Sequence, residues 1–499
     1  GPKIQSIKHD CHMIKGSLQR IHFTTTEETN SVKIELVNGS NSLTLAASVS
    51  ITDGFFDWNI PTDLSINPTT PISGNCFIKI TDTVVTSVSL TSPTPISIYN
   101  ALGSNTYTAV GSAINFSSSS RVGTNGIAGY VSSDTLCSGK NIYMYYDKTA
   151  YLKGRLGERG SEFNINTTVV LENSDNVRSY KVIALKQGGF FTVWNNNGPI
   201  RGRWFNDNGV AVGNDFLIVQ TTNSNSMPYS QTRQSIAATH DGGFIMTYYD
   251  HSGNNLSKFV KFNKNETTAD ITETRINTST NTEYRPTCSV LKNGNYLLSA
   301  KDRYSIYNSK TKAFISQEKE FDMVNVLTTE SEGQNIKTLE NGNILLVGHS
   351  STAQGHSDNY EVYFSILKQS TDTSQTLTLV KQSTKVNTAT ANTRQDNYIS
   401  STVINGGFII SWYNQAESGK SYYRMYDNDG NVLTSDTQVT NTNNIFARVS
   451  RYSGYNGYVL TYNNVSTFKY YVHPYTFVNV FTNTTITESS VLRGVNNTL

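Results

Sequence analysis

The densest group of side chains able to do chemistry is His9-Asp10-Cys11-His12. Imidazole nitrogens and a thiolate are zinc ligands, but a tetrahedral site needs four donors with room to converge. The two histidines are three residues apart and no second Cys/His pair follows. No metal or other cofactor is therefore expected, and the histidines are expected on the surface. The chain has four cysteines, Cys11, Cys76, Cys137 and Cys288, which allow three pairings. Cys11 with Cys76 is the candidate bond, tying the first strand across the N-terminal module. The partners of Cys137 and Cys288 stay open.

Two acidic stretches, Asn206-Asp-Asn-Gly209 and Asp427-Asn-Asp-Gly430, look like the start of a calcium loop. Neither has the distal glutamate or the flanking helices that such a loop needs. Both read as hairpin turns, with glycine supplying a positive φ. Aromatic strands are followed by amides and a carboxylate at Trp194-Asn, Tyr249-Asp250-His251 and Trp412-Tyr413-Asn414. Ring faces beside such groups suit sugar binding, so Trp194, Tyr249, Trp412 and Tyr413 are the glycan-binding candidates; inter-strand packing is the competing reading. For catalysis, the carboxylates are scattered, there is no Gly-x-Ser-x-Gly elbow, and the Ser-x-Asp-x-Gly-x-Thr-Trp box of sialidase propellers is missing. No catalytic residue is assigned, and the chain is read as a non-enzyme.

The elements that carry these residues are set by a repeat. A glycine turn followed by an apolar, aromatic-rich strand recurs seven times. Its anchors are Ile142, Phe190, Phe244, Tyr296, Ile344, Phe408 and Tyr458, spaced by 48, 54, 52, 48, 64 and 50 residues. A period near fifty in β-type units indicates a propeller. The best copies, Gly188-Gly-Phe190-Phe-Thr-Val-Trp194 and Gly406-Gly-Phe408-Ile-Ile-Ser-Trp412, sit within four-strand units. They resemble the Gly-Gly-Phe-x-x-x-Trp repeats of secreted microbial surface proteins. A seven-bladed β-propeller is expected over residues 127–486.

Residues 1–99 lack the repeat. Short alternating runs such as Val32-Lys-Ile-Glu-Leu and Phe77-Ile-Lys-Ile read as an immunoglobulin-like β-sandwich. The order Ile21-His-Phe-Thr, Val32-Lys-Ile-Glu-Leu, Phe56-Asp-Trp58-Asn-Ile-Pro61-Thr-Asp-Leu64, Phe77-Ile-Lys-Ile and Ser92-Pro-Thr-Pro-Ile-Ser-Ile resembles a known family. It is the Ser/Thr-rich, GPI-anchored cell-wall family, whose sandwich also occurs in fungal β-glucan-assembly proteins. The resemblance implies an extracellular, non-enzymatic sandwich. The Ser/Thr stalk and anchor tail of that family have no counterpart here.

Residues 100–126 read as a linker whose stretch 107–116 could join the last blade and close the ring. Residues 487–499 read as a C-terminal extension able to add as a strand to its own chain or to a neighbour. Only 16% of the 499 residues are charged and the net charge is +2, which excludes an electrostatic footprint for nucleic acid. No apolar run is long enough to span a membrane. Glycosylation candidates are Asn38, Asn115, Asn166, Asn255, Asn265, Asn277, Asn464, Asn483 and Asn496. The count is below the roughly thirteen that composition alone would give, so it carries no weight by itself. The expectation is an extracellular structural glycoprotein that assembles with copies of itself into a surface filament, sheath or coat. A glycan-binding module is the alternative, and a carbohydrate-active enzyme a more distant one.

Overall fold

The computed structural model describes residues 1–64, 76–100, 107–116, 130–146, 151–167, 180–195, 199–221, 235–250, 256–278, 286–300, 303–321, 335–349, 361–388, 399–464, 469–479 and 484–485. The chain is all-β with a β-propeller architecture. The turn Gln415–Glu417 is the only helix among the described residues.

From residue 130 onward the strands group into successive antiparallel sheets. Their first strands are Ser132–Thr135, Tyr180–Ala184, Ile236–Ala238, Thr287–Val290, Asn335–Thr338, Ser400–Ile404 and Ile445–Tyr452. Each first strand lies beside that of the next sheet, and the seventh lies beside the first. The repeated glycine has a physical reason. After each first strand the chain reverses in a tight turn, and Gly188, Gly242, Gly294 and Gly342 take φ between +86° and +98° there. A side chain at those positions would be strained.

The strand after the turn is buried on both faces, as in Phe190–Asn195 and Phe244–Asp250. That explains its continuous apolar run: alternate residues pack against different neighbouring sheets. Phe190 and Trp194 face the first sheet's Ile142 and Met144, while Phe191 stacks at 4.1 Å on Phe244 of the third. Trp412 sits with Phe364, Phe408 and Tyr426 between the fifth and sixth sheets. Burying such rings is the main stabilising term in each interface.

The seventh sheet takes its outer strand from the other end of the chain. Tyr107–Ala109 pairs antiparallel with Lys469–Asn479, and Ile114–Asn115 pairs further along the same strand. On its inner side this sheet bonds the first: Thr461 Oγ1 donates to Val131 O at 3.1 Å and Asn141 Nδ2 to Arg451 O at 2.8 Å.

A second motif went unnoticed in the sequence. Ile165-Asn166-Thr167, Ile276-Asn277-Thr278 and Val386-Asn387-Thr388 follow the outer strands of the first, third and fifth sheets. Asn166 Oδ1 accepts from Leu152 N at 2.7 Å, and Asn387 Oδ1 from Val362 N at 3.0 Å. The threonine then bonds an acid of the next sheet. Thr167 N and Oγ1 reach Asp215 at 2.6 and 2.7 Å, Thr388 N and Oγ1 reach Asp436 at 2.9 and 2.7 Å, and Thr278 donates to Glu318. The recurring apolar-Asn-Thr triplet was the available signal.

The described residues between 1 and 99 form two main sheets, Ile4–Lys8, Leu18–Thr25 and Phe55–Asn59 against Asn41–Val49, Val32–Asn38, Phe77–Asp82 and Ser89–Thr91. Val32, Ile34 and Leu36 point inward while Lys33 and Glu35 are partly exposed, the alternation of a half-buried strand. With Ile21, Phe23, Trp58, Ile78 and Ile80 they make one core between the sheets. His12–Ile14 and Ser97–Tyr99 leave these sheets and pair in parallel with each other.

The expected Cys11–Cys76 bond is overturned: Cys11 is bonded to Cys137, 126 residues away. The reason is that Cys11 lies on the excursion that leaves the sandwich, whereas Cys76 is sealed in the sandwich core, where Asn38 Nδ2 donates to its sulfur at 3.5 Å. Burial pushes the Cys76 thiol up to about 11 and the buried Cys288 thiol up to about 12, so neither is a reactive thiolate. The expectation of surface histidines fails for the same reason. His9 and His12 are both 2% exposed, enclosed where the excursion meets the ring of sheets.

Candidate functional site

The first strands of the sheets surround a cavity of about 260 Å³, and residues 9–12 with Gln19 and Arg20 close it on one side. That side is the one carrying the glycine turns, and the sandwich touches the turn of every sheet. Cys137 holds Cys11 covalently, and Cys11 N donates to Lys186 O at 3.0 Å. His22 Nε2 lies 3.3 Å from His240 Nδ1, and Arg20 donates to Asn293 O at 3.1 Å. Ile14 and Tyr99 pack into one cluster with Leu339 and Tyr455, and Asn405 Nδ2 donates to Asn100 O at 3.5 Å. The parallel pair His12–Ile14 and Ser97–Tyr99 is thus a stopper seated on the axis.

Each buried histidine is held by neutral partners. His12 Nδ1 is 2.9 Å from Tyr99 Oη and its Nε2 is 2.9 Å from Leu136 O; His9 Nε2 is 2.8 Å from Ser92 Oγ. Burial, and then the nearby Arg451, holds His12 down to about 4. Burial also lowers His9, and lowers His240 well below the imidazole range with help from Lys186. These rings are neutral at physiological pH. Among the described residues no group of three or more His, Cys, Asp or Glu could hold a metal ion.

Among the described residues three carboxylates line the cavity, and each is engaged by a cation. Lys186 Nζ lies 2.7 Å from Asp10, Arg451 3.2 Å from Asp134, and Lys292 Nζ 2.9 Å from Glu340. Glu340 also accepts from the Tyr455 hydroxyl. Burial opposes the charge on Asp10, but Lys186 outweighs it and holds the carboxyl well below its usual range. Lys181, Lys337 and Arg448 come from the second, fifth and seventh sheets and line the same space. Burial, and then the facing Lys337, pulls Lys181 down to about 7, and burial pulls Lys337 down to about 8. Arg448 lies over the Tyr130 ring at 4.1 Å, a cation–π contact that favours its charge.

The glycan-binding candidates are not brought together. Trp194 and Trp412 are sealed in two different sheet interfaces, and Tyr249 is 2% exposed. Tyr413 is half-buried, stacked at 4.5 Å on Phe446. The first three offer no ring face to a sugar. The acidic stretches are turns: Asn206 Oδ1 accepts from Asn208 and Val210 N, and Asp427 Oδ1 from Asp429 and Asn431 N.

Of the glycosylation candidates, Asn115 and Asn265 are exposed, whereas Asn38, Asn166, Asn277 and Asn464 are buried. Asn255, Asn483 and Asn496, like the extension 487–499, lie outside the described residues. Sequence reasoning missed the cavity cations, because Lys181, Lys337 and Arg448 share no motif and are 156 and 111 residues apart in the chain.

No protein-family model matches the sequence, and no curated protein matches it. Among solved structures, the WD40 domain of Toxoplasma gondii coronin is similar at 9% identity and a TM-score of 0.46, over 79% of this chain and 91% of that one. A PL25 ulvan lyase is similar at 9% identity and a TM-score of 0.42, over 74% and 95%. A protein of unknown function from Dyadobacter fermentans gives 9% identity and 0.40, over 74% and 99%. At such identity and scores these likenesses say nothing about what the chain binds or does.

Proposed function

We propose that the chain is an extracellular, non-enzymatic structural protein: an immunoglobulin-like sandwich stapled onto a seven-bladed propeller, acting as a rigid building block in a self-assembled coat or filament. One observation carries the reading. The axial cavity is stoppered by the chain's own sandwich, and each of the three carboxylates that line it among the described residues is tied to a cation. A hydrolase needs an acid or base free to reach a substrate. A covalent staple between modules suits a compartment where disulfides persist. Two unlike ends, one the sandwich and one the open side of the ring, favour head-to-tail contacts, which build filaments when the rotation does not close.

The test is electron microscopy and sedimentation of protein expressed through an oxidising secretory route, as the full chain and as residues 1–486. The full chain should polymerise, and the shorter chain should keep its circular dichroism while remaining monomeric. A full chain that stays monomeric at every concentration, or that cleaves a polysaccharide, overturns the reading.

A further inference from the structure

Four of the chain's eight histidines, His9, His12, His22 and His240, lie where the sandwich meets the ring. Two of them touch across the junction. His22 is on the strand Leu18–Thr25 of the sandwich, and His240 is in the glycine turn of the third sheet. Their rings are half-buried and 5.5 Å apart, edge to face, with His22 Nε2 3.3 Å from His240 Nδ1. Such a nitrogen pair is a hydrogen bond only while one ring offers an N–H and the other a bare nitrogen. The docked pair can therefore take up one further proton but not two. With both rings charged, two N–H groups would point at each other and two like charges would sit side by side.

The carboxylates around the pair are already bound by other cations. Around His22 stand Arg20 and Lys8 of the sandwich, Asp57 on the adjoining strand and Asp241 of the third sheet; around His240 stand Lys186, Lys292 and Asp10. Arg20 holds Asp57 at 2.8 and 2.9 Å, Lys261 holds Asp241 at 2.5 Å and Lys186 holds Asp10 at 2.7 Å. Burial, and then Arg20, holds His22 down to about 4; burial, and then Lys186, lowers His240 well below the imidazole range. Undocking returns both rings to water, where they titrate near about 6.5. The undocked state then binds more protons, so acid favours it. The docking equilibrium shifts by about tenfold per pH unit for each proton taken up, between about 6.5 and 4.

We propose that the sandwich is an acid-released lid: protonation of His22 and His240 together expels it from the glycine turns and unstoppers the axial cavity, while the Cys11–Cys137 bond keeps it tethered. The tether makes release reversible, because it holds the lid at high effective concentration for re-docking when the pH rises.

The experiment is reduction of the oxidised full chain by a water-soluble phosphine at pH 7 and at pH 5. Cys11 and Cys137 are 2% and 3% exposed, so the reagent reaches their bond when the lid opens. Thiols are counted by mass after alkylation in denaturant, two before reduction and four after. The rate should rise about tenfold or more from pH 7 to pH 5, although the phosphine itself is weaker in acid. His240→Gln keeps a hydrogen bond to His22 but takes up no proton, so its rise should be smaller by about threefold or more. A wild-type rate that is flat or falls in acid, or an equal rise in the folded variant, overturns the proposal. If the variant does not fold, amide exchange of the wild type, corrected for the intrinsic effect of pH, carries the test. Protection should drop between pH 7 and pH 5 in residues 9–15 and hold in Phe244–Asp250. Loss in both segments is global unfolding and overturns the proposal, as does loss in neither.

Discussion

Replacing Cys11 and Cys137 together by alanine should uncouple the sandwich from the ring, and the size of the effect follows from where the bond lies. It closes a loop of 126 residues. The chain-entropy relation for a cross-link of that length gives about 5 kcal/mol of stabilisation through the unfolded state. What the loss does depends on whether the two parts melt together. Unfolding entropy is about 2.1 cal/mol/K per residue, so a sandwich of roughly a hundred residues melts with about 0.2 kcal/mol/K and the whole chain with about 1 kcal/mol/K. If the sandwich melts alone, its midpoint falls by about 25 °C; if the chain melts as one unit, the shift is about 5 °C. Without the bond, the stopper keeps the Lys186–Asp10 ion pair, the His12 contacts and the Arg20 bond to Asn293. Hydrogen bonds and ion pairs of this kind contribute about 1 kcal/mol each, so each is worth a fraction of the staple. Differential scanning calorimetry should show one transition for the oxidised wild type. The double variant, and the wild type in reductant, should each show a separate, earlier transition. Oxidised and alanine proteins with the same single transition within about a degree would refute the loop-entropy reasoning and the mechanical role given to the bond.

Further outcomes follow from the packing and the charges. Trp412→Ala should cost about 3–5 kcal/mol by urea denaturation, because the ring fills an interface between sheets; a stable variant that only loses glycan binding would return Trp412 to the role of a sugar platform. Asp215→Ala leaves Arg201, 2.7 Å away, without its carboxylate and breaks the bonds from Thr167, so a loss of about 3 kcal/mol is expected in the same assay. Mass spectrometry of secreted protein should find glycans at Asn115 and Asn265 and none at Asn38, Asn166, Asn277 or Asn464. Lys181 is depressed in the folded state by burial and then by Lys337, with Cys288 opposing and Arg448 and Asp134 offsetting each other in direction. Between pH 7 and 10 the unfolded chain therefore binds more protons at this site, and stability rises with pH there, by up to about 1.4 kcal/mol per unit. Lys181→Met should flatten the trend, and wild-type and variant profiles that run parallel would count against its attribution to Lys181.

The propeller repeat was legible because it is local. A turn that requires positive φ demands glycine, and a strand buried on both faces demands an unbroken apolar run, so Gly188-Gly-Phe190 and Gly406-Gly-Phe408 declare their geometry within seven residues. The alternation in Val32–Asn38 declared a half-buried strand in the same way. Side-chain type alone misled where environment decides. Trp194 and Trp412 have the chemistry of a sugar platform, yet their positions on the second strand of a unit put them inside an interface. Asn166 and Asn277 read as glycan acceptors, yet they sit buried at the ends of the outer strands, beside threonines that grip the next sheet.

The sequence by itself determined the β class, the period and the turns, since propensity, patterning and backbone sterics act over a few neighbouring residues. Only the tertiary structure decided that Cys11 meets Cys137, that His9 and His12 are enclosed, and that Lys181, Lys337 and Arg448 face one another. Those outcomes depend on ring closure and on where the sandwich seats. Both bring together residues more than a hundred positions apart, and no local preference of the chain encodes such a meeting.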